Sequence, residues 1–377
     1  MPTDEFPILK HGHYANHAAI APWPRSTARA IADFALENSE IGPEKYALWL
    51  SRETELRQLS SNMLNAESAA DIALLKNTTE GICTVANGIE WCTGDNVVLP
   101  LDEFPSNRLP WLALRQLGVE VREVDIRSTS EPELALLDKI DERTRLLAVS
   151  AVQWTDGLRL KLETLGNACR QGGVFFLVDA IQQLGALEMD VQACNIDFLA
   201  ADGHKWMLAP EGIAVFYCRQ ELRDHLKLAQ QGWRMVDNPY QFNRADWLPS
   251  QAASRFEAGS PNTLGQAGLH ASLQLLLRVG MENVEAAVRE NSTFLSESLA
   301  TMPALELVRP YDQGRGSGIV SFRMPGKDIN EVFRALKQKL LVCAVRGDAI
   351  RLSPHFYQAG KPLHDILNLI EDVVKIQ

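Results

Sequence analysis

Hydrophobic positions change their spacing along the chain. Two stretches, at about 24–36 and 44–64, carry apolar residues at helical spacing. From about residue 70 to 220, short apolar runs alternate with amphipathic stretches. The runs are Ile72–Lys76, Asn96–Leu101, Val119–Val124, Leu146–Ser150, Val174–Val178, Phe198–Ala201 and Ile213–Tyr217. Runs of this length between turn residues suit strands buried on both faces, as in a parallel sheet. Intervening stretches such as 107–117 and 161–171 have helical spacing. Alternation of this kind predicts an α/β domain with a mostly parallel central sheet and helices on both faces. After about 265 the pattern becomes helix-rich: Leu264–Val279, 282–301, a strand at Ile319–Phe322, a helix at 328–338, a strand at 349–353 and a helix at 363–376. The expected organisation is a large α/β domain over 15–270 and a smaller C-terminal α+β domain over 271–377, with residues 1–14 as a lead-in packed on it. No linker rich in Pro, Gly or Ser marks the boundary.

Composition narrows the function classes. The chain has 377 residues, 46% hydrophobic and 23% charged, with a net charge of −11. Such values belong to globular proteins, and an acidic balance argues against a binder of nucleic-acid phosphates. No window approaches the roughly 18 apolar residues of a membrane span. Six cysteines form no CxxC pair, and several sit inside apolar runs. They are expected to be reduced thiols, which points to the cytoplasm.

In open parallel sheets, ligands bind beyond the carboxyl ends of the strands. Four apolar runs are followed there by chemistry-bearing residues: Asn77-Thr78-Thr79, then Asp102-Glu103-Phe104, then Asp179 with Gln182, then Asp202-Gly203-His204-Lys205. Singly, each has a plain structural reading: a helix cap, a turn, a salt bridge, a surface lysine. Together they place an anion site at a helix start, a carboxylate, an aromatic face and an amine on one sheet edge. That set matches what pyridoxal 5′-phosphate requires. Its phosphate needs the helix start, its ring nitrogen a carboxylate, its ring a stacking partner and its aldehyde a lysine.

The chain resembles the class V aminotransferase family of fold-type I pyridoxal-phosphate enzymes, a group with cysteine desulfurases, kynureninases and isopenicillin N epimerase-like proteins. The segments that carry the resemblance are Asn77–Gly81, Glu103–Asn107 with Pro110-Trp111, Val178–Gln182, Asp202–Trp206, Arg255–Asn262 and Ile350–His355. They stand in the family's order across nearly the whole chain. The resemblance implies that Lys205 holds the cofactor and moves protons at the substrate's Cα. It implies that Asp179 pairs with the ring nitrogen, that Gln182 reaches the ring hydroxyl and that Phe104 stacks on the ring. Thr78, Thr79 and His204 would serve the phosphate, and Ser260 the phosphate of a neighbouring subunit in a homodimer with its active site at the subunit interface. Arg351 would hold an amino-acid substrate's carboxylate, with Asn16 and His17 lining the substrate side.

The sequence also departs from desulfurases within that family. Phe104 stands where they have His, Asp202 where they have Ser and Trp154 where they have Asn. Their persulfide cysteine lies on a long loop before the carboxylate-binding Arg, whereas Val345–Arg351 leaves no room for one. Cys343 lies in an apolar run and is expected in a strand. The resulting expectation is an enzyme acting on an amino acid through an external aldimine and Cα deprotonation, by transamination or β-elimination. An epimerase of the isopenicillin N epimerase type and a cofactor-binding protein without turnover are the alternatives. A persulfide-type cysteine desulfurase is disfavoured.

Overall fold

A computed structural model describes residues 2–243, 245–309 and 314–376. The order begins with β1 (His13–Tyr14), α1 (Arg25–Ile41), α2 (Tyr46–Leu64), β2 (Ile72–Leu75), α3 (Thr78–Gly88), β3 (Asn96–Pro100), α4 (Leu109–Ala113) and β4 (Glu120–Val124). It continues with α5 (Pro132–Leu137), β5 (Thr144–Ser150), α6 (Leu162–Gly172), β6 (Phe175–Asp179), β7 (Phe198–Asp202) and β8 (Ala214–Cys218). The C-terminal part holds α7 (Thr263–Val279), α8 (Met281–Ala300), β9 (Glu306–Leu307), β10 (Val320–Arg323), α9 (Ile329–Gln338), β11 (Leu341–Val342), β12 (Ala344–Arg346), β13 (Ala349–Leu352) and α10 (Lys361–Ile376).

The seven apolar runs all become strands of one sheet, in the order β2-β8-β7-β6-β5-β3-β4. Strands β3 to β7 are mutually parallel. Strand β8 runs against both β7 and β2, so β2 points the same way as the parallel set. The carboxyl ends of β2, β3, β5, β6 and β7 therefore share one edge. The central strands are buried along their length, as continuous apolar runs require. The helix expected over 107–117 is shorter. Pro110 sits in the first turn of α4, and the chain tightens into 3-10 turns on either side, at Pro105–Asn107 and Leu114–Leu117.

A second, four-stranded sheet has the order β12-β13-β10-β9 and its own apolar core. Helix α8 serves both cores. Val284, Ala287 and Val288 pack with the main sheet, while Leu295 and Leu299 pack with the small one. A single continuous helix thus joins the two sheets, which is why no linker composition marks the transition. The lead-in is held on the small side by the parallel pairing of β1 with β11 and by a bridge from Asn16 to Ser353.

Candidate active site

The loops after β2, β3, β5, β6 and β7 meet over the shared edge and enclose a cavity of about 330 Å³. Asn77, Thr78 and Thr79 enter it from the start of α3, where Asn77 Oδ1 caps the helix by accepting from Glu80 N at 2.8 Å. The first-turn N–H groups of a helix have no partner within it, so this end favours an anion. Thr78 Oγ1 accepts from Asp202 N at 3.0 Å, which ties α3 to the end of β7.

Asp179 ends β6 opposite Ser150 of β5 and is almost wholly buried. Its Oδ1 accepts from Ile181 N at 3.0 Å. Burial pushes its carboxyl up to about 6, against the pull of that N–H and of Lys205. Glu103 lies behind it, accepting from Ser150 N at 2.6 Å, from the Ser150 hydroxyl and from Gln153 Nε2 at 3.2 Å. Burial lifts Glu103 to about 7, with Asp179 adding to the rise.

Lys205 is 9% exposed, and its Nζ lies 5.7 Å from the centroid of the Phe104 ring. Burial lowers its ammonium to about 8; Asp179 opposes the shift, and Arg351 and Arg346 reinforce it. A buried amine with a lowered pKa is a competent nucleophile toward a carbonyl. Phe104 stays 40% exposed within the cavity, edge-on to Trp154 at 5.5 Å.

Arg351 reaches in from β13. Its Nη1 donates to the Trp154 carbonyl at 2.5 Å, while Nε and Nη2 are buried without a partner. Burial, then the charge of Arg346, brings this guanidinium down to about 9. A buried guanidinium with two open donor atoms is completed by a carboxylate. The residues present therefore fit pyridoxal 5′-phosphate with a carboxylate-bearing partner: an anion-ready helix start, a buried acid, an exposed ring, an unbonded amine and an arginine fork.

Of the residues singled out by sequence, Thr78, Thr79, Phe104, Asp179, Gln182, His204, Lys205 and Arg351 all line this one cavity. Gln182 is fixed there, donating to the Ala18 carbonyl at 3.0 Å and accepting from Trp206 Nε1 at 3.0 Å. Among the described residues Asp202 pairs with no arginine; its Oδ1 lies 2.8 Å from His204 Nδ1. Three residues fall elsewhere. Ser260 opens on a separate cleft with Lys76, Glu80 and Asn262. Asn16 and His17 are corrected as cavity-lining residues, because the bridge to Ser353 turns His17 inward. Its Nδ1 lies 2.8 Å from the Ser353 carbonyl and its Nε2 2.6 Å from the Tyr357 hydroxyl. Ala18, Ala19 and Ile20 line the cavity in their place. Cys343 is buried between β11 and β12, and none of the six cysteines lines the cavity.

Sequence reasoning missed Arg346, which also lines the cavity. The signal was available. Gly347-Asp348 closes a two-residue hairpin in which Gly347 takes φ +60°, and Ala344 pairs with Arg351. Residues paired across an antiparallel ladder, and those two further along, point the same way, so Arg346 and Arg351 share a face.

The class-V aminotransferase family matches residues 14–369. A probable cysteine desulfurase of Methanothermobacter thermautotrophicus is 29% identical over 98% of this chain and 96% of its own. The cysteine desulfurase of Klebsiella pneumoniae is 31% identical over 85% of this chain and 81% of its own. Among solved structures, the cystine C–S lyase C-DES with glycine covalently linked to its pyridoxal-phosphate cofactor superposes with a TM-score of 0.91, at 24% identity and 98% coverage of both chains. The same lyase in complex with its product cysteine persulfide gives 0.90, at 24% identity over 97% of this chain and 99% of its own. These relatives correct the expectation that set cysteine desulfurases aside in favour of transamination or β-elimination. The two-residue turn between β12 and β13 is as short as the sequence indicates, but one loop's length did not outweigh similarity across the chain. Matching over residues 14–369 on a fold-type I scaffold, the chain belongs to the class-V aminotransferase family, whose members depend on pyridoxal 5′-phosphate.

Proposed function

We propose that the chain is a pyridoxal-phosphate enzyme that passes the sulfur of cysteine, or of a close chemical relative of it, to an acceptor thiol and leaves alanine. The observation that carries this reading is one cavity shared by the unbonded amine of Lys205, the buried acid of Asp179 and the half-satisfied guanidinium of Arg351. The direction of the chemistry comes from the cysteine desulfurases that the chain is similar to. When bound, the cofactor acts as an electron sink for the substrate's α-carbon.

The chain's own residues divide the remaining work. Lys205 would hold the cofactor and would supply a base close to the substrate's Cα. Asp179 keeps the ring nitrogen protonated by opposite-charge pairing. Phe104 covers one ring face. The first turn of α3, with Thr78, Thr79 and His204, holds the phosphate. Gln182, already fixed on two sides, keeps one amide N–H for the ring hydroxyl. Arg351 grips the substrate carboxylate with its two open donor atoms.

A homodimer belongs to the same reading. Ser260 lies outside the cavity, in keeping with service to a neighbouring subunit's phosphate. Trp233, Phe242 and Trp247 line one exposed apolar recess suited to burial between copies. A cytoplasmic location rests on six unpaired cysteines; no helix among the described residues is long and apolar enough to cross a membrane.

Product analysis tests the reading. Holoprotein incubated with L-cysteine and dithiothreitol, which serves first as acceptor thiol and then, by closing its own disulfide, as reductant, should release alanine and sulfide in equal amounts. Pyruvate in place of alanine, or amino transfer that depends on an added keto acid, would overturn it.

A further inference from the structure

Two arginines share the cavity, and one α-carboxylate needs only one of them. Resting on the reading above, we propose that Arg346, seated on the ring of Trp154, forms a second anion site beside Arg351. Among close relatives of cysteine, the cavity then selects those that carry a second acidic group beyond the sulfur.

The argument begins with what holds Arg346. Its Cζ stands 5.6 Å from the centroid of the Trp154 ring, and its Nη1 donates to its own Val345 carbonyl at 2.8 Å. Its Nε is buried without a partner. Among the described residues, no carboxylate lies within ion-pair distance of Arg346 or Arg351; Asp202 and Glu211 line the same cavity but pair with neither. Neighbouring arginines behave differently. Arg309 pairs with Asp156 at 3.1 Å, Arg315 with Glu133 at 2.8 Å and Arg323 with Asp348 at 2.7 Å. Arg346 and Arg351 lack the carboxylate that each of those three has, although two such groups on one hairpin face repel each other and depress Arg351. Anions bound at both would relieve that repulsion.

Trp154 fixes the spacing. Its carbonyl holds Arg351 and its ring face holds Arg346, so one residue sets both donors. The indole is anchored in turn by Nε1 donating to the Asp102 carbonyl at 2.9 Å. A rigid pair of this kind favours a two-acid ligand over a one-acid ligand, because the latter leaves a guanidinium unmatched.

Calorimetry on the holoprotein with succinate and propionate tests the site. Neither probe carries an amine or sulfur, so failure to cleave cysteine would leave this measurement untouched, and the reverse also holds. Succinate should bind about tenfold more tightly than propionate, the worth of one charge-assisted pair. Arg346→Gln should bring the two within about twofold, while Arg351→Gln weakens both. Trp154→Leu, which removes the ring beneath Arg346 and leaves the backbone carbonyl, should cut the preference by about threefold. Equal affinities in the parent protein, or a preference unchanged by Arg346→Gln and Trp154→Leu, would overturn the proposal.

Discussion

The floor and the roof of the cavity are built differently. On the floor, Thr78, Asp179 and Lys205 sit at strand ends of one sheet, tied to its backbone by Thr78 with Asp202 N and by Asp179 with Ile181 N. The roof comes from distant chain segments. Arg351 and Arg346 arrive from the small sheet, Trp154 from the loop after β5, and Ala18–Ile20 from the lead-in. Their bonds span long separations, as from Arg351 to the Trp154 carbonyl and from Gln182 to the Ala18 carbonyl. On the proposed reading, the groups that bear on covalent chemistry therefore rest on the ends of hydrogen-bonded strands. On the same reading, the groups that bear on which substrate enters rest on parts whose spacing depends on the contact between sheets.

The largest expected effect breaks the floor. Lys205→Ala should lower turnover by about a thousandfold or more, because the attachment point and the base are lost together. Circular dichroism should be unchanged, since an unbonded amine contributes little to packing. Borohydride treatment of the parent should label this one side chain. Turnover within tenfold of the parent would remove Lys205 from the chemistry.

The next effect loosens the roof and leaves the floor in place. Arg351→Gln should raise the Michaelis constant for amino acids by about a hundredfold, the worth of a bidentate charged pair, with a smaller change in kcat. The cofactor's absorbance should stay as in the parent. Steady-state kinetics separate the cases, because a collapse of kcat at constant KM would mean that Arg351 orients the reacting groups instead of holding the carboxylate.

The same division explains how much could be read from sequence. Each floor residue follows an apolar run directly, so strand direction alone brings Asn77, Phe104, Asp179 and Lys205 together. The reversal of β8 did not disturb this, because β2 on its far side turns back into line with the parallel set. Roof residues obey no such rule. Asn16 and His17 stand beside residues that do line the cavity, yet a one-residue bridge to Ser353 turns His17 into the core. Arg346 was legible only through the register of its hairpin, which Gly347 sets. Trp154 lies far in sequence from both arginines it holds, and no local pattern announces that contact. The reaction class was harder still, since a short loop is a local feature and the kind of bond broken depends on the whole cavity.

The smallest effect joins the two regions. Burial lowers Lys205 to about 8, and both roof arginines add to the shift. A group with a lowered pKa loses its proton earlier as pH rises, so about one tenth of Lys205 is free amine at pH 7, against a few parts in ten thousand for an ordinary lysine. Attachment of pyridoxal 5′-phosphate to the cofactor-free protein, followed by stopped-flow absorbance, should quicken with pH and level off above about 8. Arg346→Gln or Arg351→Gln removes one repelling charge, so the midpoint should move upward by a few tenths of a unit and attachment at pH 7 should slow by about twofold. Glu103 and Asp179 also titrate near this range, but both lie on the floor and are unaltered by the roof variants, so the difference between parent and variant isolates the arginines. A midpoint that stays put in both variants would mean that solvent between floor and roof screens the charges, and that the two regions act independently.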